Sequence, residues 1–586
     1  MKRYHINFFL AGMAFLLAVL LPPLHVQAAT PLSADVCVYG ATPAGIMAAY
    51  TARKKGKSVI LIEPGKRIGG MTAGGLGWTD IGDRESDASI IKGYALEFYQ
   101  RIGAYYEEAG AKYTFEPKVA LATFKSFLSE VGLTDDVILY QRRIVSAQKS
   151  GNTIQSIVLE DAANPIESTR QTVLAKVFLD CSYEGDLMAR AGVSYTVGRE
   201  ANAQYGETGN GVQLLTKHQF PDGVDPYVVK GDPTSGLLWG ILPDAVGNDG
   251  DADNHVQSYN FRITLTNDAA NRISIASCPP DNYDPSRYEL LIRMKEVSPW
   301  KDYKDCLKWD WMPNHKCDMN NQGGFSTDMI GASWNYPEAT YQEREAIFKQ
   351  HLDYTQGLLY FLWTDSRIPE KVRTELAKWG YPRDEYAESN HFTPQLYIRE
   401  ARRMIGRLVM TQKYCEGKEA VDDPIAWAAY TMDSHNCGRY VVNGMVKNEG
   451  DVQVHISAPY SISYRAITPV ESEARNLLVP VCLSASHIAF GSIRMEPVYM
   501  VLGETSALAA CQAIDEHDGC VQAVETTRVI DELQKGITTA VSSPAVGSSS
   551  SVVGRYNLLG QYVSSSTIGL QIVHYADGSS KKTLMR

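Results

Sequence analysis

Gly40, Thr42, Gly45 and Glu63 are the residues whose types and spacing point most directly to chemistry. The first three stand in the turn "GATPAG", where Thr42 takes the middle glycine position of G-x-G-x-x-G. Gly40 permits a tight turn, and Gly45 lets the following helix pack close to its strand. Thr42 keeps the backbone amides and adds a hydroxyl that could donate to a phosphate oxygen. Pro43 and Ala44 complete the turn at a helix N-terminus, whose free N–H groups attract an anion. Glu63 lies 23 residues beyond Gly40, where a carboxylate can accept both ribose hydroxyls and disfavours a 2′-phosphate. The set predicts a dinucleotide cradle and argues against NADP.

Three elements must position it. "DVCVYG" alternates and is β-branched, so it predicts a buried strand; "AGIMAAYTARKKG" predicts a helix ending at Gly56; "KSVILIEPG" predicts a second strand. The next segment, "KRIGGMTAGGLGWTD", places Arg67, Gly69, Gly70 and Met71 just past the ribose acid. It resembles the R-x-G-G motif of the glutathione-reductase-like flavoprotein superfamily, and the resemblance implies FAD buried lengthwise. The same resemblance implies that Asp180, ending the strand of "AKVFLDCSYEGDLMARAG", closes the nucleotide domain near the adenosine and pyrophosphate. It also implies that the late helix "PVYMVLGETSALAACQA", with Gly503 and Glu504, directs its N-terminus at the flavin's pyrimidine edge, where reduction develops negative charge.

A flavin needs a substrate held beside it and one proton managed. The candidates are His435 in "MDSHNCGRY", His487 in "SASHIAFG" and Arg494, with Arg465 and Arg439 behind them. Histidine titrates near neutral pH, and His487 and Arg494 lie just before the late helix. No C-x-x-C or His-rich spacing supports a metal site.

The 586 residues suggest several domains, and 44% hydrophobic with 21% charged residues reads as globular. A net charge of −11 without clustered basic runs argues against a nucleic-acid partner. Arg53-Lys54-Lys55 reads as a solvated helix face. Of the ten cysteines, most are expected as buried thiols, with Cys306–Cys317 and Cys511–Cys520 as the pairs to examine. From 137 to 200 a β-meander and a strand–turn–helix continue the first domain. From about 200 to 430 glycine fingerprints stop and Tyr and Trp become frequent, which suggests an inserted substrate-facing domain. There "YQEREAIFKQHLDYTQGLLYFLW" predicts an amphipathic helix. "QLYIREARRMIGRLVM", from Gln395, predicts another, bringing Arg399, Arg402, Arg403 and Arg407 together in part on one face. They could bind an anionic substrate or form surface salt bridges.

The pieces "YGATPAGIMAA", "GGMTAGGLG", "YEGDLMARAGVSYTVGRE", "SYNFRITLT", "REARRMIG", "MDSHN" and "LLVPVCLSASHIAFGSIRMEPVYMVLGETSA" are similar to the FAD-dependent oxidoreductase family of exported bacterial proteins, some of whose members are labelled xanthan lyases. The resemblance covers about residues 35 to 520. It implies an α/β fold: a three-layer Rossmann-like FAD-binding domain with a parallel sheet, an inserted α+β substrate domain and, beyond both, a small C-terminal β domain.

The expected layout is a signal peptide at 1–29, FAD-binding parts at 30–200 and 431–524, a substrate domain at 201–430, a helix and linker at 525–551, and a β domain at 552–586. The N-terminus has a basic start, an apolar run and small residues, the signal-peptide pattern. No membrane span is expected in the mature chain. "TTAVSSPAVGSSSSVVG" reads as a flexible linker. The last residues, with the pattern "GQ…G…DG…K", resemble the sorting domain of type IX secretion and imply a periplasmic, cell-surface or secreted location.

The leading expectation is an FAD oxidoreductase that moves hydride between the flavin and a small molecule or carbohydrate. The alternatives are a polysaccharide lyase, which needs a base and a neutralised uronate but no cofactor loop, and a glycan-binding protein without turnover. No second G-x-G-x-x-G unit is present for NAD. The electron acceptor therefore stays open among oxygen, a quinone and a protein.

Overall fold

The computed structural model describes residues 30–80 and 88–540 and the segments 552–556, 569–575 and 580–585. It divides into two units, Met1–Lys535 and Gly536–Arg586. The expected signal peptide and the Ser-rich linker at 541–551 lie outside the described residues.

The first unit is built on a seven-stranded sheet. Its strands are β1 (Leu32–Tyr39), β2 (Val59–Glu63), β3 (Leu139–Tyr140), β4 (Arg142–Ser150), β5 (Thr153–Asp161) and β6 (Gln171–Asp180), in the order β3-β2-β1-β6-β5-β4, and Leu477–Leu478 also pairs with β6. The pairs β1/β2, β1/β6, β2/β3 and Leu477–Leu478/β6 are parallel, while β4/β5 and β5/β6 are antiparallel. Val36 and Val38 of β1 enter one core; Cys37 and Tyr39 enter another on the opposite face. Side chains that alternate between two buried faces are what a covered parallel strand requires.

Helix α1 (Pro43–Lys54) follows β1. Thr42 caps it by accepting from Gly45 N at 3.4 Å, Pro43 opens it, and Arg53 and Lys54 sit in its last turn, where cations suit the dipole. Gly56, at φ +79°, takes the left-handed turn that leads away. Arg53, Lys54 and Lys55 are exposed. Helices α2 (Gly93–Tyr105) and α3 (Pro117–Glu130) complete this part.

A five-stranded antiparallel sheet comes from the middle of the chain: β7 (Ile263–Thr266), β8 (Arg272–Ser274), β9 (Leu307–Met312), β10 (Lys316–Asn321) and β11 (Gly380–Pro382), ordered β9-β10-β7-β11-β8. Helix α4 (Tyr341–Thr364) accompanies it, opened by a capping box between Thr340 and Glu343. Lys316 Nζ on β10 is buried and reaches Glu116 at 2.6 Å and Asp384 and Glu385 at 2.9 Å each. That one ammonium ties the start of α3 to this sheet.

The helix expected from Gln395 is not formed. The chain there is extended: Tyr397 N donates to Asn260 O at 2.8 Å, Met404 N to Cys482 O at 2.9 Å and Ile405 N to Ser194 O at 2.8 Å. The reason lies in the arginines. Arg399, Arg402 and Arg403 are buried, and a buried charge needs its own counter-charge. Arg399 pairs with Asp328 at 2.9 Å, Arg402 with Glu338 at 2.7 Å and Asp186 at 2.8 Å, and Arg403 with Glu200 at 2.9 Å. Extended backbone sends successive side chains to these separate partners. Arg407 is exposed.

Helix α5 (His487–Ile493) and the long, buried helix α6 (Glu496–Glu516) return the chain to the first sheet. All ten cysteines are free thiols and nine are buried, so neither Cys306–Cys317 nor Cys511–Cys520 is bridged. Among the described residues no helix is long and apolar enough to cross a membrane. The second unit holds a three-stranded antiparallel sheet of Val552–Tyr556, Gly569–Tyr575 and Ser580–Met585.

Candidate active site

Strand register brings the cradle residues to one edge. Tyr39 pairs with Ile62 on one side and Asp180 on the other, so Gly40, Glu63 and Asp180 meet at the carboxyl ends of three parallel strands. That edge is where open α/β sheets bind ligands. Gly40 has φ +95°, and a Cβ there would lie 2.7 Å from Ser182 N. Only glycine fits.

The Thr42 hydroxyl donates to Cys181 O at 2.7 Å. It therefore clamps the β1 turn to the β6 turn and is not spare for a phosphate. Pro43, Ala44 and Gly45 form the first turn of α1, which contains no acidic residue and leaves its N-terminus favourable to an anion. Glu63 is held by backbone amides, Oε2 accepting from Ala41 N at 3.0 Å and Oε1 from Gly65 N at 2.6 Å. Burial pushes its carboxyl up to about 7. Asp180 accepts from Ser182 Oγ at 2.6 Å and Met188 N at 2.8 Å; burial raises it to about 6. It organises the turn after β6.

Arg67 donates Nη2 to Ala73 O at 3.1 Å and pairs with Glu388. Gly69 and Gly70 take φ of +89° and +43°, and a Cβ on Gly70 would strike the Tyr183 hydroxyl. Met71 N donates to that hydroxyl at 3.0 Å, and Tyr183 in turn donates to Glu496 Oε1 at 2.7 Å. Glu496 opens α6, and burial pushes it up to about 7. Gly503 and Glu504 stand two turns further along. A Cβ on Gly503 would overlap the Ala44 carbonyl of α1, and Glu504 accepts from Tyr94 N, in the first turn of α2, at 2.6 Å. Both sit at helix packing contacts and not at the helix N-terminus.

Beyond α6's N-terminus lies a cavity of about 250 Å³. Met495, the N-cap of α6, and Arg494, the C-cap of α5, both line it. Arg494 donates to the Tyr397 hydroxyl at 2.8 Å and to Asp433 Oδ2 at 3.1 Å. His435 also lines it, with Nδ1 3.0 Å from Asp328 Oδ2 and Nε2 3.3 Å from Asp433 Oδ2. Burial and Arg399 oppose charge on the imidazole, but Asp433 and Asp328 outweigh them and raise its pKa. Burial of Asp433 is likewise outweighed by His435 and Arg494, so that carboxyl stays well below its ordinary range. Arg262 sits across the wall, donating to Asp318 at 2.8 and 2.9 Å and to Asp80 at 3.0 Å. The arrangement can polarise a bound oxygen and hold or release one proton beside it.

His487 is not on this wall. It is buried, with Nε2 2.8 Å from Ser434 Oγ and Nδ1 2.9 Å from Glu400 Oε2. Arg439 is packed between Phe220 and Phe325 with Asn448 as a partner; burial pushes it down to about 10. Arg465 pairs with Asp423 and Asp422 elsewhere. Sequence reasoning missed Asp433, Tyr397, Tyr430, Arg262, Tyr183 and Glu496. Asp433 had a signal, standing two residues before His435 in "MDSHN".

The donor set fits FAD. A glycine-tight turn faces an acid-free helix N-terminus, and Glu63 ends the neighbouring strand with no cation paired to it among the described residues. Gly40, Pro43, Ala44 and Gly45 would cradle the pyrophosphate, and Glu63 would hold the ribose.

A family model described as FAD dependent oxidoreductase matches residues 35–537. No curated protein matches the chain. Among solved structures it is similar to the 3-ketosteroid-delta4-(5alpha)-dehydrogenase of Rhodococcus jostii RHA1, at 12% identity over 27% of this chain and 47% of that one, with a TM-score of 0.19. It is similar to Thermovibrio ammonificans THI4 at 19% identity over 35% of this chain and 81% of that one, with a TM-score of 0.23. It is also similar to the L-proline dehydrogenase of P. horikoshii at 15% identity over 29% and 59%, with a TM-score of 0.22. The chain thus spans about half the length of the first of these.

Proposed function

The chain belongs to the FAD dependent oxidoreductase family, and from that premise we propose that it moves a hydride between FAD and a small polar substrate held in the Arg494–His435 cavity. When bound, FAD supplies the two-electron chemistry. Arg494 and Tyr397 orient a substrate oxygen, and His435, set between Asp328 and Asp433, takes up or returns the proton that accompanies the transfer.

One observation carries the reading. Arg494 ends α5 and Met495 caps α6, so the cavity abuts the N-terminus of α6. The first turn of that helix is joined through Tyr183 to Met71 of the glycine-rich loop. Cofactor loop, helix N-terminus and substrate groups form one connected structure.

The test is the visible spectrum of the purified chain before and after heating, then anaerobic addition of candidate substrates. Flavin bands released on heating and bleached by a substrate support the reading. A colourless protein that does not take up added FAD overturns it. Neither the lyase nor the glycan-binder alternative gains support from the family or the site.

The location belongs to the same proposal. The N-terminal pattern and the last residues support export to the periplasm, cell surface or medium. Intact-mass measurement of protein recovered outside the cytoplasm tests it, with loss of both ends as the expected result.

A further inference from the structure

Resting on the reading of this cavity as the substrate site, we infer that its ligand is a neutral, polyhydroxylated small molecule of the sugar class, not an organic acid. Each buried arginine on the wall already has a carboxylate. Arg262 has Asp318 and Asp80 at 2.8 and 3.0 Å, and Arg494 has Asp433 at 3.1 Å. The imidazoles of His435 and His218 lie 3.0 Å from Asp328 and 2.8 Å from Asp451, and the exposed Lys308 pairs with Asp310 at 3.0 Å. Lys217 stands exposed in water at the rim.

Among the described residues the one wall cation without a carboxylate is Lys217, out at the exposed rim, so a carboxylate in the interior would find no spare cation beside it. It would lose hydration and lie beside Asp433 and Asp80, both on the wall. Burying an unpaired charge is among the costliest things a site can do.

The rest of the wall is neutral and polar. Asn320, Asn321, Gln322, Gln453 and Thr431 line it together with the Tyr397 and Tyr430 phenols. Amides and hydroxyls both donate and accept, as sugar hydroxyls do. Gln322 makes no hydrogen bond to another described residue, and Gln453 commits only its Nε2, to Asp451 at 3.2 Å. Apart from Met495 and the tyrosine rings the wall offers no apolar surface, which disfavours lipid-like ligands. At about 250 Å³ the space is below the ~300–1,000 Å³ of sites for drug-sized ligands, which suits one ring better than a chain of them.

The experiment pairs probes that differ only in charge. Methyl glycosides of glucose, galactose and mannose are each compared with the corresponding methyl uronide, and succinate is added as a small dianion. Binding to the FAD-loaded full chain is measured by calorimetry and saturation-transfer NMR, with the flavin spectrum recorded separately. At least one neutral glycoside is expected to bind about tenfold or more tighter than its uronide. The double variant Gln322→Leu/Gln453→Leu, at two exposed positions, is expected to weaken that binding about tenfold.

Tighter binding of a uronide or succinate, or no binding of any neutral glycoside, overturns the inference. The two readings separate cleanly. Glycoside binding that never bleaches the flavin keeps the ligand class and counts against hydride transfer; bleaching by succinate or a uronide does the reverse.

Discussion

The Tyr183 hydroxyl donates to the Glu496 carboxylate at 2.7 Å, across 313 residues of sequence. The same hydroxyl accepts from Met71 N, so one phenol fixes the glycine-rich loop against the start of α6. Gly70 leaves room for it, since any Cβ there would strike the hydroxyl.

Tyr183→Phe should therefore loosen FAD without unfolding the protein. It strands a buried amide and a buried carboxyl, a loss of about 1–3 kcal/mol, or roughly 5- to 150-fold in affinity. Flavin fluorescence in the filtrate during serial ultrafiltration measures this. Retention equal to the parent's would show that the link is not part of the cofactor's support.

Gly503→Ala should cost stability and flavin together. Its Cβ would overlap the Ala44 carbonyl where α6 crosses α1, and overpacking of this kind costs about 1–3 kcal/mol. Because Ala44 lies in the first turn of α1, the displacement reaches the cradle. Gly417→Ala is the control: φ is +69° and nothing lies within 4 Å, so it carries backbone strain alone. A thermal melt followed by flavin release should separate the two, with early release in Gly503→Ala only.

The cradle was legible because its meaning is local. Gly40, Gly45 and Glu63 act through a turn, a helix start and a strand end that follow one another along the chain. Thr42 shows the limit: the clamp to Cys181 depends on a residue 139 positions away. The Gln395 segment fails for the same reason. Its arginine spacing suits a helix face, but the decisive partners, Asp328, Glu338, Asp186 and Glu200, come from three other regions. His435 and Arg494 are legible in the sequence, whereas Asp433, which touches both, and Arg262 are not. Their roles arise only when separate segments close on one cavity. Glu496 carries no signal of its own, since an acid in the first turn of a helix is ordinary and its contact with Tyr183 is not visible in a linear reading.

Stability should fall as pH rises through neutrality, on account of buried carboxyls. Burial raises Glu504 to about 8 and both Glu63 and Glu496 to about 7, from an ordinary 4.5. The folded state then binds protons that the unfolded state has released. The contribution is complete below about 4.5 and is lost as pH climbs through 7 and 8. Glu504→Gln keeps a carbonyl acceptor for Tyr94 N and removes the titration. Its melting temperature should match the parent's in mild acid and exceed it by a few degrees at pH about 8.5, where the parent's Glu504 must ionise. Parallel curves across that range would place the titration elsewhere.

The two histidines should part company under the same substitution. His435 lies on the cavity wall between Asp328 and Asp433, so His435→Gln should leave FAD bound and slow flavin reduction by about 10²–10⁴-fold, the usual share of a positioned proton donor or acceptor. His487 bridges Ser434 and Glu400 inside the protein. His487→Gln should cost about 1–3 kcal/mol of stability while turnover per bound flavin stays close to the parent's. The pH profile adds a second reading. Flavin reduction releases a proton from the substrate, which only neutral imidazole can accept, so the rate is low in acid and rises as pH passes the raised pKa of His435. Asp433→Asn removes one of the two carboxylates that raise it, so the rising limb should move to lower pH. Stopped-flow reduction across pH with the substrate found by bleaching measures both effects. A limb that stays in place would assign the proton to another group on the wall.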